Sequence, residues 1–378
     1  MAKFKGYRQT TLTSLLGPVI YERPYYHCPH CGTGCFPTDD ELRIEDKKTK
    51  GAEEVISLAG VTDAFEESAD KLVAKMSGLR LSASTVHRTV VTVGDRLAEE
   101  RAAGRPVGPD TTWDWQRDAA GNRVAYVSLD ATGVPQQGPH HEKAECRMAW
   151  VGCVFNPSNP QPAHKNKRRR MRDTRYVAGL MSLPEIGLQI RRECRATGIE
   201  HADTIVALTD GGAGLEDCLL DAVAGLSKNR IQFILDFYHV TEHVHEFAKF
   251  WIKDEEARRV QTDEWCHLLK HKGGHALLEA LEALDLTAAK PDVTESHRLL
   301  TGYLRKNLHR TDYPEYIRQG WHIGSGVVES ACKSVVARRM KGAGMRWRPD
   351  GTTAMCQLRA LYKSKGNLWD CYWRTTVS

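Results

Sequence analysis

Four acidic residues stand where chemistry could be done. An apolar run, Val124 to Leu129, ends in Asp130; Ile205-Val206-Ala207-Leu208-Thr209 leads into Asp210-Gly211-Gly212; and Ile231 to Leu235 leads into Asp236. The fourth, Glu329, opens a late helix after Gly324-Ser325-Gly326. A strand end fixes the direction of a carboxylate, and the following loop leaves room for a ligand. One such Asp is most often a turn residue or a helix cap; three of them with a Glu point to a shared site. Convergent carboxylates can hold a pair of Mg²⁺ (or Mn²⁺) ions roughly 3.5–4 Å apart, one activating an attacking oxygen and the other stabilising the leaving oxygen of a phosphodiester. This chemistry needs no nucleophilic side chain. The chain carries no G-x-x-x-x-G-K-[ST] loop, H-E-x-x-H helix or G-x-S-x-G elbow.

The elements that must position these carboxylates alternate. Val124 to Leu129, Met148 to Phe155 and Tyr176 to Leu180 read as strands, Leu183 to Ala196 as a helix, Thr204 to Thr209 as a strand, Leu215 to Ala224 as a helix and Ile231 to Leu235 as a strand. The expected fold class is α/β, with a mixed sheet in the order of a ribonuclease H-like core. From Val240 to about Arg318 the pattern is helical and polar with scattered aromatics, an all-α insertion; a last helix, Val327 to Arg339, returns to the sheet.

Upstream, Arg8 to Tyr26 reads as a strand pair broken at Gly17-Pro18, leading into Cys28-Pro29-His30-Cys31-Gly32. Two thiolates three residues apart can grip one Zn²⁺, with the Gly permitting the tight turn. One such knuckle supplies two ligands; Cys35, His27 or His30 could add another, or a partner knuckle could lie upstream of this start, or the strand pair could fold without metal. Asp63 to Met76 and Ser82 to Arg101 read as two helices around a break at Ser77 to Leu81. As a helix-turn-helix, this pair buries Val86, Val90 and Val93 and leaves Thr85, His87, Arg88 and Thr89 to face a DNA groove. The same pattern fits an ordinary helical hairpin. His239 and His243, four apart, could share a metal on one helix face, although a hydrogen-bonding role near the site is the simpler reading.

The net charge is +5, with 41% hydrophobic and 27% charged residues, which excludes a disordered or collagenous chain. The excess charge is local. Lys165, Lys167, Arg168, Arg169, Arg170 and Arg172 form one run between the second and third strands, and Gly320 to Ser378 holds ten Lys or Arg against three Asp or Glu. Two basic patches suit a polyanion such as DNA. Lys341, Arg346 and Trp347 lie in a Gly-rich loop whose composition suits phosphate contact and base stacking, or whose Trp packs on the core. No apolar run is long enough for a membrane helix, no signal core opens the chain, and the eleven cysteines are mostly scattered; a cytoplasmic location with reduced thiols is expected.

These residues resemble the DDE transposases of bacterial insertion sequences, closely the ISKra group, related to the Mutator-like and IS256-like enzymes. The carriers are Tyr25 to Cys31, Leu129-Asp130-Ala131-Thr132-Gly133, Leu208-Thr209-Asp210-Gly211-Gly212, Asp236-Phe237-Tyr238-His239 and Gly324-Ser325-Gly326-Val327-Val328-Glu329-Ser330. The resemblance implies a catalytic, metal-holding triad of Asp130, Asp210 and Glu329, with Asp236 and His239 in support. It also implies a zinc-ribbon-like segment (1–58), a helix-turn-helix region (59–105), a linker (106–121), the first part of the core (122–239), the insertion (240–321), and the Glu-bearing helix with a basic tail (322–378). The implied function is cleavage and joining of DNA at terminal inverted repeats, by a homo-oligomer when two ends are synapsed. A ribonuclease H-like nuclease without strand transfer and an inactive DNA-binding regulator are the alternatives.

Overall fold

The computed structural model describes residues 1–42, 44, 46–105, 107–157, 171–226 and 230–375. Lys167, Arg168, Arg169 and Arg170, expected to contact DNA, lie outside the described residues.

Strands β1 (Lys3–Ser14), β2 (Gly17–His27) and β3 (Gly34–Cys35) form a separate antiparallel sheet, with β1 and β2 turning at Leu15-Leu16. The main sheet contains β4 (Gln116–Arg117), β5 (Arg123–Gln137), β6 (Lys143–Pro157), β7 (Met171–Gly179), β8 (Thr204–Thr209) and β9 (Arg230–Leu235). Its order is β7-β6-β5-β8-β9, with β4 pairing β5. Strands β5, β8 and β9 are parallel, and β6 is antiparallel to both β5 and β7. The chain is therefore mixed α/β.

Side chains along β5 alternate between two cores. Ala125, Val127 and Leu129 pack with helices Leu183–Ala196 and Leu215–Val223, while Val124 and Tyr126 face the later helices. Asp130 has the parity of Tyr126. On that face lies the late helix, which runs Gly326–Ala331, widens into a π-helical stretch at Cys332–Ala337 and ends at Arg338–Met340. The insertion consists of helices Phe237–Trp251, Glu255–Glu282, Pro291–Asn307 and Tyr313–Arg318.

Four sequence expectations need revision. β5 does not end at Leu129: pairing with β6 continues through Asp130↔Val151 to Gln137↔Lys143, so Asp130 is a mid-strand residue. The supposed linker packs, because Trp115 is buried beside β4 and its indole N–H donates to Gly198 O. A helix at Lys50–Thr62 escaped the sequence reading and covers the two expected helices, whose second member is Ala83–Ala102, capped by Ser82. The basic tail is no tail. Helix Pro349–Lys363 is buried along most of its length against β7 and Ala83–Ala102. Gly94 permits that approach, since a Cβ there would stand 2.5 Å from Ala354 O. Arg359, only 3% exposed, is satisfied by the carbonyls of Val61, Ser334 and Val335. No described helix is long and apolar enough to cross a membrane.

Candidate carboxylate site

Asp130 is half-buried on β5. Its Oδ1 accepts the Ala131 amide at 2.6 Å, and its Oδ2 receives the Cys332 thiol at 3.5 Å. Burial pushes its pKa up and the charge of Asp210 adds to this, against the lowering effect of the Ala131 amide.

Asp210 follows β8. Its Oδ1 accepts the Gly212 amide at 2.9 Å, which closes a turn, and its carbonyl accepts the Tyr303 hydroxyl at 2.7 Å. Gly211 takes φ +90°, where a side chain is strained, and a Cβ would meet Leu235 and Tyr303 at 3.0 Å. The loop is pinned from below by Arg310. Its buried guanidinium donates to Thr209 Oγ1 at 3.0 Å and to Asn307 Oδ1, and pairs with Glu216 at 3.3 Å.

Asp236 is 1% exposed and fully engaged. Its Oδ1 caps helix Phe237–Trp251 by accepting the Tyr238 amide at 2.8 Å; its Oδ2 accepts the Ser325 hydroxyl; its own amide donates to Thr209 O at 2.8 Å. Asp236 thus ties β8, β9 and the start of the Glu329 helix together. Glu329 lies one turn beyond Ser325 with its side chain 42% exposed and Lys333 Nζ 3.8 Å away. Burial, then the charge of Asp236, raises its pKa, with Asp130 adding a smaller push and Lys333 opposing.

His239 and His243 face each other, Nε2 to Nε2 at 3.2 Å, while their Nδ1 atoms lie 3.5 and 3.6 Å from Glu242 and Glu246. The ring of Tyr303 packs against both. Burial lowers the pKa of His243. His245 is exposed.

The donor set of Asp130, Asp210 and Glu329 is all carboxylate oxygen, the chemistry that suits a hard divalent cation; the raised pKa values of Asp130 and Glu329 come first from burial and only then from neighbouring carboxylates. In this arrangement no group of three or more His, Cys, Asp or Glu among the described residues is close enough to ligate one ion together. The same holds at the knuckle. Its turn is formed, with Gly32 N donating to Cys28 O and Cys28 N to Thr33 O, both at 2.9 Å. Hydrogen bonds from Thr33, then Cys28, bring the Cys31 thiol down to about 7. Cys35, His27 and His30 do not join the pair to make a closed zinc site.

Two of the expected DNA-contacting segments come together. A cleft of about 860 Å³ is lined by His87 and Arg88 from helix Ala83–Ala102 and by Arg346, Trp347 and Arg348 from the late loop. Arg88, His87, Arg346 and Lys341 are exposed, and Thr85 is half-exposed at the helix start, its hydroxyl 2.9 Å from that of Ser82. Two expectations are corrected here. Thr89 is buried, and its hydroxyl returns to Thr85 O at 2.9 Å. Trp347 is 6% exposed, edge-on to Phe65, with its indole N–H on Met340 O; its ring is core, closed to base stacking. Lys341 Nζ reaches Thr132 Oγ1 at 2.7 Å, two residues along β5 from Asp130. Sequence reasoning missed Tyr303, Arg310 and Cys332, whose partners are about a hundred or more residues away. Only the polar pair Asn307 and Arg310 beside a Tyr hinted at a buried network.

A family model described as an uncharacterised protein family, UPF0236, matches residues 2–376. Curated relatives occur in Caldanaerobacter subterraneus subsp. tengcongensis. One UPF0236 protein is 22% identical over 368 residues, covering 96% of this chain and 69% of its own length. A second has the same identity and span, with 66% of its length covered. A third, 22% identical over 364 residues, carries eleven locus labels in its printed name. This chain spans about two thirds of the length of these relatives.

Proposed function

This chain belongs to the uncharacterised protein family UPF0236, and from that footing we propose that it is a DDE-type DNA transposase, cutting and joining phosphodiester bonds at the ends of an insertion sequence. The observation that carries the reading is the placement of three carboxylates around one strand: Asp130 within β5, Asp210 at the C-terminal end of the adjacent parallel strand β8, and Glu329 on the helix packed over β5. The order β7-β6-β5-β8-β9 with only β6 reversed is the order expected of a ribonuclease H-like core, and it supports the reading. So does a relative whose single printed name covers eleven loci of one genome, a copy number suited to a mobile element.

Two reactions would share the site. In the first, a water oxygen bonds to phosphorus at the element end, the 3′-oxygen leaves and takes a proton, and a free 3′-hydroxyl results. In the second, that 3′-oxygen loses its proton, bonds to a target phosphorus and displaces the target's 3′-oxygen. Each step makes one P–O bond for the one it breaks, so no nucleotide cofactor is needed. Bound Mg²⁺ or Mn²⁺ supplies Lewis-acid stabilisation of the attacking and leaving oxygens. Asp130, Asp210 and Glu329 would hold these ions after closing from the spacing seen here, in which no three such ligands stand together among the described residues. Tyr303 and Arg310 fix the loop of Asp210, and Asp236 with Ser325 fixes the start of the Glu329 helix. Thr85, His87 and Arg88 at the helix start, with Lys341 and Arg346, would contact the duplex, and pairing two ends requires a homo-oligomer.

The test is Mg²⁺-dependent cleavage of DNA carrying the flanking ends of the element, and strand transfer from precleaved ends, run beside Asp210→Asn. Cleavage and joining that vanish in the variant support the proposal. Cleavage without joining indicates a nuclease, and end binding without cleavage indicates a regulator.

A further inference from the structure

A cavity of about 240 Å³ opens where the C-terminal ends of helices Ala83–Ala102 and Leu183–Ala196 meet β7. None of the site carboxylates lines it. Its walls carry Arg101, Arg105, Arg175, Arg192 and Arg195 against two acids, Asp110 and Glu193. Two of the arginines are already employed. Arg175, 4% exposed, pairs with Glu193 at 3.3 Å and donates to Pro109 O and Thr111 Oγ1. Arg192 donates to the carbonyls of Arg101 and Ala102, covering the helix end where orphan carbonyls favour a cation. Arg101 differs. It is 3% exposed; Nη1 donates to Gln357, but Nε and Nη2 have no hydrogen-bond partner among the described residues. A buried cation so placed is costly unless counter-charge offsets it; the charge of Glu193 offsets only part of the cost of burying Arg101, and its Oε2 is paired with Arg175.

We propose that this cavity binds a phosphate-class anion, with buried Arg101 on its wall supplying N–H groups left without a partner and exposed Arg105 and Arg195 supplying charge at the rim. The planar guanidinium fork matches two phosphate oxygens at once. The volume is below the roughly 300–1,000 Å³ of sites for drug-sized ligands, which suits a single small anionic group. That group is either a backbone phosphate of a nucleic-acid strand or a free phosphate compound. The proposal stands on the cavity alone and does not depend on the transposase reading.

Thermal unfolding of the full chain in inorganic phosphate, against chloride at equal ionic strength, is the test. Phosphate is expected to raise the Tm of the wild type, the Arg105→Gln/Arg195→Gln variant to lose at least half of that rise, and Arg101→Gln to lose all of it. The rim variant decides the question should Arg101→Gln fail to fold, because both of its positions are solvated. No difference between phosphate and chloride, or an undiminished rise in the rim variant, overturns the proposal. Binding to an arbitrary duplex separates the two sources. A nucleic-acid phosphate predicts a slope of log K against log salt shallower by up to about 0.9 in the rim variant, the share of one phosphate. A free phosphate compound predicts an unchanged slope with the phosphate effect retained.

Discussion

The hydroxyl of Tyr303 donates to the main-chain carbonyl of Asp210 across 2.7 Å, so a residue of the helical insertion holds the loop that carries a site carboxylate. The insertion is thereby part of the frame of the site. Burial raises the Tyr303 pKa, which favours the protonated, donating form.

Tyr303→Phe removes the donor and keeps the ring against His239 and His243. The expected loss is about 1 kcal/mol of stability, the worth of one hydrogen bond, read from urea unfolding. Cleavage should slow by roughly ten- to a hundred-fold, since small displacements of reacting groups are expensive, with end binding unchanged. Equal loss of binding and cleavage would argue for simple unfolding instead.

Gly211→Ala tests the same loop through its backbone. With φ at +90° and neighbours at 3.0 Å on two sides, the added methyl has no strain-free position. A cost of about 1–3 kcal/mol is expected, accompanied by lost cleavage. A variant as stable as the wild type would show that the loop relaxes freely.

Asp130 and Glu329 both have raised folded-state pKa values. Between the unfolded and folded values the native chain holds more protons, so their contribution is full below the unfolded value and is lost as pH rises through the folded one. Asp130→Asn should therefore melt higher than the wild type at pH 7, with the gap closing as pH falls into the ordinary carboxylate range. Added Mg²⁺ should narrow the gap at pH 7 by stabilising only the wild type. A variant that melts lower than the wild type at neutral pH would contradict the burial cost described for the Asp130 carboxylate.

Arg88 and Trp347 line one cleft but should fail differently. Arg88→Ala is expected to weaken duplex binding and to reduce the salt slope by about 1, with Tm unchanged. Trp347→Ala empties a buried ring position and should cost about 3–5 kcal/mol. Calorimetry and salt-dependent binding on both variants distinguish a surface contact from a core ring.

Much of the sheet was legible because its strands are buried on both faces and read as continuous apolar runs. Thr204 to Thr209 matches β8 residue for residue, and the break around Gly78, with Ser82 as cap, matches the observed helix pair. The end of β5 was not legible. Ala131 to Gln137 are small or polar apart from Val134 and Pro135, and what keeps them extended is the paired arm of β6. Helix Pro349–Lys363 was hidden for a related reason. Thr352, Gln357 and Arg359 look like a solvated face, yet each is buried with a hydrogen-bond partner, and those of Gln357 and Arg359 are distant in sequence.

The sequence by itself determined the strand and helix periods, the acidic residues beside the central strands, the knuckle turn and the basic segments, because each is a local pattern of side-chain type. Only the tertiary structure decided that Asp130 lies within a strand and that Asp236 has both oxygens occupied. It also decided that Trp347 is core, and that Tyr303 and Arg310 hold the Asp210 loop. Those outcomes depend on desolvation and on hydrogen bonds between residues brought together by packing, and no local pattern encodes a partner a hundred positions away.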